Sequence, residues 1–305
     1  MPYQHIVHLV LHVLLLVASI ALADAVDHGL WWISMAGLCG AAMVQIGFAG
    51  HDVEHGQVFR NPDQKRCLSL ICWNLLLGLS ARWWEEKHRA HHRDTHVIGA
   101  DPDLYALYAF DTQQAKQAAG IHRLFIRNQH WLFWISLAFV RLYFQWLSLI
   151  FLIVRPGPGR CVELCLLVLH HAVFWFAVCS ILPQNALLFV VISYAAAGVY
   201  MGIVFCTNHL GMPYAPAPQH GKRWQIAHTR NIRTGRIGAY LCGGLNYQIE
   251  HHLHPSMSRF RLRSVATSTR QLCHDLDMPY HEQNLFAALR DVHAAFRRVS
   301  TEARQ

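Results

Sequence analysis

Six apolar runs, at about 5–23, 30–50, 67–81, 130–153, 160–182 and 185–206, leave this chain of 305 residues few ways to fold. A run of about 20 apolar residues is the length of a helix that crosses a bilayer, because each residue advances 1.5 Å. Composition agrees: 53% of the residues are hydrophobic and 14% are charged, and the mean hydropathy is positive. These values belong to an integral membrane protein and exclude an ordinary soluble domain.

The runs are not equivalent. Residues 67–81 (CLSLICWNLLLGLSA) are too few to span and read as a half-buried or interfacial hairpin. Residues 130–153 carry Arg141 among many Trp, Phe and Tyr, which suits a helix at headgroup level. Segment 51–129 holds ten Lys and Arg and segment 207–305 holds thirteen, whereas the connections 24–29 and 183–184 hold none. Excess positive charge marks cytoplasmic segments, so both basic segments belong on that side and an even number of crossings separates them. Four spans satisfy this: 5–23 with 30–50, and 160–182 with 185–206. Run 9–23 resembles a signal-peptide core but lacks a basic n-region, so it is expected to stay as a helix. The expected fold is an all-α integral membrane protein. It forms a single domain over 1–305, with four transmembrane helices, interfacial or half-membrane helices, and a cytoplasmic helical cap.

The net charge of +8 is dispersed between membrane-length runs, so it reads as topology and nucleic acid is not an expected partner. Nine cysteines include no CxxC pair and read as small buried hydrophobes.

Histidine is the anomaly, with 23 residues. HDVEH places His51 and His55 one helical turn apart on one face. EEKHRAHHRDTH places His88, His91 and His92 at i, i+3 and i+4. GLNYQIEHHLHPSM repeats that spacing as Gln248, His251 and His252, and CTNHLGMP adds Asn208 and His209. Imidazoles crowded on one turn repel when protonated, whereas a metal explains their proximity; imidazole suits Fe, Zn, Cu or Ni. Eight are too many for one ion and suit two, and all fall in the segments assigned to the cytoplasm. Gln248 is a weaker donor that could bind a metal directly or act beside it. The carboxylates that could orient the imidazoles are Asp52, Glu54, Glu85, Glu86, Asp101, Asp103 and Glu250. His170 and His171, inside an apolar run, are placed either at a polar helix contact or along a substrate tunnel. Trp83 and Trp84 read as interface anchors and His254 as a surface group.

These motifs resemble the membrane fatty acid desaturases, within them the front-end-like acyl-CoA or acyl-lipid branch. HDVEH is similar to the first histidine box, WWEEKHRAHH to the second, and GGLNYQIEHHLHPSM to the third, with the Gln that marks this branch. VIGADPDL, NHLGMP and TRNI are similar to its connecting stretches, and the likeness covers about 45–265. The resemblance implies a non-haem centre of two iron ions, dioxygen as co-substrate, no haem or flavin in the chain, and insertion of a double bond into a long acyl chain. It implies His51, His55, His88, His91, His92, His209, His251 and His252 as ligands, with Gln248 where other branches have a histidine. Asp52 and the Asp101–Asp103 pair belong to the same pattern. The haem-binding HPGG of a fused cytochrome b5 domain does not occur in the sequence. A separate donor, a ferredoxin or a free cytochrome b5 with its reductase, is therefore expected. The other partners are a long-chain acyl-CoA or acyl-lipid and membrane lipids, and the expected location is a bacterial inner membrane. Two rivals remain: a lipid hydroxylase or related di-iron monooxygenase on the same scaffold, and a membrane metal-binding or transport protein.

Overall fold

The computed structural model describes residues 2–26, 28–215, 217 and 221–304. The chain is mostly helical, and its contacts divide it into two compact units, residues 1–85 with 137–202 and residues 86–136 with 203–305.

The first unit opens with α1 (Pro2–Ala21) and α2 (Gly29–Glu54), which pack along each other. His28 caps α2 by accepting from the Leu30 N–H. Asp27, in the connection, lies outside the described residues. α1 presents His5, His8 and His12 as buried side chains at successive turns. His8 Nε2 lies 3.2 Å from the Gln45 carbonyl, and the His5 ring lies 2.7 Å from Asp52. α3 (Pro62–Ser69) starts on Asn61, whose side chain accepts from two backbone N–H groups, with Pro62 in its first turn. It continues as a π-helical segment, Leu70–Leu76. Within the segment 67–81, residues 67–76 are helical and 77–80 form the turn that leads into α4 (Ala81–Arg93). Trp84 stacks on Trp73 at 4.4 Å, Trp83 packs edge-on to Phe144, and both indoles are buried. The two tryptophans are thus core residues of this unit, contrary to the expected anchoring at the interface; they lie next to a helix seam that periodicity could not reveal.

In the second unit, α5 (Thr112–Gln117) is capped by Asp111, and α6 (Gly120–Ser136) follows. Three 3₁₀ residues, Leu137–Phe139, join α6 to α7 (Val140–Val154). The combined run Gly120–Val154 is 35 residues long. The segment 130–153, expected at headgroup level, is therefore part of a helix long and apolar enough to cross. Its two halves bury different faces: α6 buries Ile126, Gln129, His130 and Phe133, and α7 buries Arg141, Phe144, Ser148 and Leu152.

α8 (Arg160–Ile181) and α9 (Ala186–His209) are the last long apolar helices. Among the described residues, five helices are long and apolar enough to cross a membrane. Only 22% of the apolar stretch of α8 is buried, so Val168, Val173 and Phe176 face outward, as lipid-facing side chains would. Cys161, Cys165 and Cys179 share that exposure, while Cys39, Cys72, Cys206 and Cys273 are buried; burial as small hydrophobes thus holds for only part of the set. α2 and α9 meet at Gly40, where an added Cβ would lie 2.3 Å from the Ser193 carbonyl oxygen and 2.9 Å from the Ala197 nitrogen. Both obstacles are backbone and cannot rotate away. Gly40→Ala is therefore expected to destabilise the fold by about 1–3 kcal/mol, the usual cost of overpacking, read as a lowered melting temperature in detergent.

The second unit continues with short elements: α10 (Lys222–Ala227), β1 (Asn231–Ile232), α11 (Arg236–Leu241), α12 (Gln248–Leu253), α13 (Leu262–Asp275), β2 (Glu282–Gln283) and α14 (Leu285–Glu302). β1 and β2 pair in parallel, Asn231 opposite Glu282. α14 packs along α6, burying Ala288, Val292, Phe296 and Val299.

Candidate metal centre

Three helices carry six of the eight histidines of interest, and all six residues fall in the second unit. α4 supplies His88, His91 and His92, α9 ends on His209, and α12 supplies His251 and His252. α12 has only six residues, too few to be stable alone, and side chains hold it in place. Asn231 Oδ1 accepts from the Ile249 N–H at 2.9 Å. The buried Glu250 carboxylate accepts from Asn231 Nδ2 at 2.7 Å and from the Tyr280 hydroxyl at 2.8 Å.

The six imidazoles form two triads. His91, His209 and His252 are buried, with ligand atoms within 4.8 Å of one another. Each ring has its Nδ1 hydrogen committed to an acceptor. His91 Nδ1 donates to Asp101, 3.0 and 3.1 Å from its two oxygens. His209 Nδ1 donates to the His228 carbonyl at 3.1 Å. His252 Nδ1 donates to Gln225 Oε1 at 2.7 Å, an orientation fixed because Gln225 Nε2 donates to the His92 carbonyl at 2.8 Å. With Nδ1 holding the proton, each Nε2 keeps a lone pair, the form in which imidazole binds a metal.

The chemistry of this donor set fits a cation. His252 Nε2 is buried without a hydrogen-bond partner among the described residues. Protonation does not resolve that orphan: burial first, then the neighbouring His92, His209, His91 and His251, push the His252 pKa well below its ordinary value. In the other triad the ligand atoms of His88, His92 and His251 lie within 4.8 Å of one another. There His92 Nε2 is 3.2 Å from both His88 Nε2 and His251 Nε2. Three neutral rings cannot supply a proton between every pair of converging nitrogens, whereas one cation is attracted to all of them.

Asp101 and Asp103 stand behind His91, at 3.0 and 3.3 Å. Burial works against an ionised Asp101, but His91 and the backbone N–H groups of Asp103 and His96 outweigh it and hold the carboxyl well below its usual range. Lys87 pairs with Asp103. Gln248 sits beside His209: its Nε2 is 3.0 Å from His209 Nε2, and its Oε1 accepts from Asn208 Nδ2 at 3.2 Å. Gln248 and Asn208 thus form an amide pair at the edge of the first triad.

In the first unit, His51 and His55 present rings 4.6 Å apart on α2, with ligand atoms within 4.8 Å of each other. Asp52 pairs with His5 at 2.7 Å and stands 3.7 Å from His51 Nδ1. Glu54 accepts from Ser69 and pairs with Lys65 at 3.4 Å. His170 Nδ1 donates to the Leu75 carbonyl at 2.9 Å, and its ring fills the space where a Cβ on Gly78 would lie 2.3 Å away. That is a polar helix contact; half-buried His171 packs 5.0 Å from it. His254 is exposed.

Three contributors carried no sequence signal. Gln225 and the His228 carbonyl act through contacts that only the fold creates, and His5 was absorbed into a spanning run. His96, at the end of the second histidine motif, also carried no assigned role: it is fully buried and adopts φ of +62°. In that conformation its N–H reaches Asp101 at 2.8 Å and its ring reaches the Pro213 carbonyl at 3.0 Å. His96→Asn is expected to be tolerated, since Asn adopts this left-handed region readily, whereas His96→Val is expected to cost about 1–3 kcal/mol in thermal unfolding.

A family profile described as fatty acid desaturase matches residues 6–284. The chain is 33% identical over 265 residues to a Delta(8)-fatty-acid desaturase of Euglena gracilis, covering 80% of this chain and 62% of that one. It is 31% identical over 288 residues to a Delta(5) fatty acid desaturase of Caenorhabditis elegans, covering 88% and 64%. It is 28% identical over 316 residues to an acyl-lipid (9-3)-desaturase of Physcomitrium patens, covering 98% and 59%. The chain thus spans about three fifths of the length of these relatives. With a profile matched over 6–284 and two histidine triads among the matched residues, the chain belongs to the fatty acid desaturase family.

Proposed function

We propose that this chain is a membrane-bound desaturase that inserts a double bond into a long-chain acyl group at a non-haem di-iron centre. Dioxygen and two electrons are consumed; two hydrogens leave adjacent methylenes, and with two protons they end in two waters. The observation that carries this reading is the pair of triads, His88, His92 and His251 beside His91, His209 and His252. The proposed ligand set adds His51 and His55, with Gln248 and Asn208 beside it.

Bound iron would supply the oxidising power that an unactivated methylene requires, which no side chain possesses. What the chain's own residues contribute is placement. Asp101, Gln225 and the His228 carbonyl hold three imidazoles in one tautomer, and neutral rings leave the charge of an ion undiminished. An error of about 1 Å in substrate position can cost on the order of a hundredfold in rate, so a rigid ligand frame is what selective removal of two hydrogens needs.

The topology we propose has four spans, α1, α2, α8 and α9, with the basic segments 51–129 and 207–305 and their histidines in the cytoplasm of a bacterial inner membrane. Division of Gly120–Val154 at the 3₁₀ turn supports it, because α6 and α7 bury their faces in different units. The acyl group rides on CoA or a lipid, and electrons come from a separate ferredoxin or a free cytochrome b5 with its reductase. Expression in a host of known lipid composition, with such a donor supplied and fatty acids analysed by gas chromatography–mass spectrometry, tests the reading. A new unsaturated acid is the expected result; a hydroxy acid would move the assignment to a monooxygenase.

A further inference from the structure

Outside the histidine clusters, the first unit contains a cavity of about 260 Å³ lined by Glu54, Lys65, Arg66, Arg82, Glu85 and Glu163 among others. It lies where α2 ends, at Glu54, and where α8 begins, with Glu163 in its first turn. Both helices are long and apolar enough to cross a membrane, so the cavity stands at the depth of lipid headgroups.

Its acidic side chains are largely engaged. Glu163, fully buried, accepts on Oε2 from Ser80 Oγ and Asn74 Nδ2, while its Oε1 has no hydrogen-bond partner among the described residues and faces Arg82 Nε at 3.9 Å. Lys65 is shared between Glu54 at 3.4 Å and Glu85 at 3.7 Å. The two arginines of the lining keep unpaired donors. Arg82 Nη1 is buried without a hydrogen-bond partner among the described residues, as is Arg160 Nε at the start of α8. Arg66 lines the cavity, and its guanidinium has no carboxylate within 4 Å among the described residues. The loop RPGPGR explains how the guanidinium groups lie so close to the backbone. A Cβ on Gly157 would come within 2.6 Å of Arg82 Nη2, and one on Gly159, where φ is +76°, within 2.1 Å of Arg66 Nη2.

Unspent guanidinium donors around a small cavity match the oxygens of a phosphate, whose planar pairs of acceptors suit the arginine fork. We propose that this cavity is a phosphate-binding site, engaging the phosphate of a ligand at the membrane surface through Arg66 and Arg82. The site rests on the cavity and its arginines and stands whichever oxidation the histidines support.

The test uses the full chain purified in a neutral detergent. Binding of dihexanoyl phosphatidylglycerol, coenzyme A and inorganic phosphate is measured separately by calorimetry. Phosphate-free dihexanoylglycerol serves as the lipid control and Lys116→Ala as the protein control. Arg66→Ala, on an exposed side chain, is expected to weaken the bound phosphate compound at least about tenfold, the worth of a charged hydrogen bond. Gly159→Ala, which keeps every charge but occupies the place of the guanidinium, is expected to do the same. Whichever of the three probes shows that loss identifies the source, lipid headgroup, acyl carrier or free phosphate. Absence of binding by all three, unchanged binding in Arg66→Ala, or equal binding of the phosphate-free lipid overturns the site.

Discussion

His92→Ala is expected to abolish product formation and to lower bound iron from about two ions per chain toward one or none. His92 is the nitrogen on which its triad closes, with its Nε2 3.2 Å from those of both His88 and His251. Removing that ring leaves His88 and His251 without the nitrogen that lies 3.2 Å from each. The side chain is only partly buried, so the fold should survive, and circular dichroism beside metal analysis separates loss of the ion from loss of the structure. Retention of full iron content with activity intact would remove this triad from the centre.

Asp101→Asn is expected to weaken metal binding by about 10- to 100-fold, the usual consequence of losing the group that orients a ligating histidine. Asp101 accepts from His91 Nδ1, from the His96 N–H at 2.8 Å and from the Asp103 N–H at 2.9 Å. An amide of the same shape keeps one accepting oxygen but turns an N–H toward one of these donors, so the His91 tautomer is no longer enforced. Iron affinity, measured by competition with a chelator, should fall while the melting temperature of the metal-free chain changes less. Equal affinity in the variant would show that Asp101 acts only in packing.

Much of this was legible because the chemistry is local. Each histidine box carries its spacing within one helical turn, so His88, His91 and His92 are visible as one face of α4 before any fold is known. Asp101 and Asp103, by contrast, stood out from the other candidate carboxylates only through the resemblance to the desaturase pattern. The supporting atoms were not legible. Gln225 is an unremarkable residue of the six-residue α10, and the His228 carbonyl has no side-chain signature at all. Trp83 and Trp84 misled because an indole next to an apolar run has the same sequence appearance whether it faces lipid headgroups or, as here, Trp73 and Phe144. Arg141, in segment 130–153, gave no sign of its partner either: the guanidinium is buried and donates to the Leu77 carbonyl, an acceptor without a side-chain signature.

The fork made by Gln225 reaches further than its two hydrogen bonds. One amide grips the His92 carbonyl with its nitrogen and the His252 ring with its oxygen, and those histidines belong to different triads. The two triads are therefore joined mechanically: a shift of the Gln225 side chain that suits the support of one histidine is imposed on the support of the other.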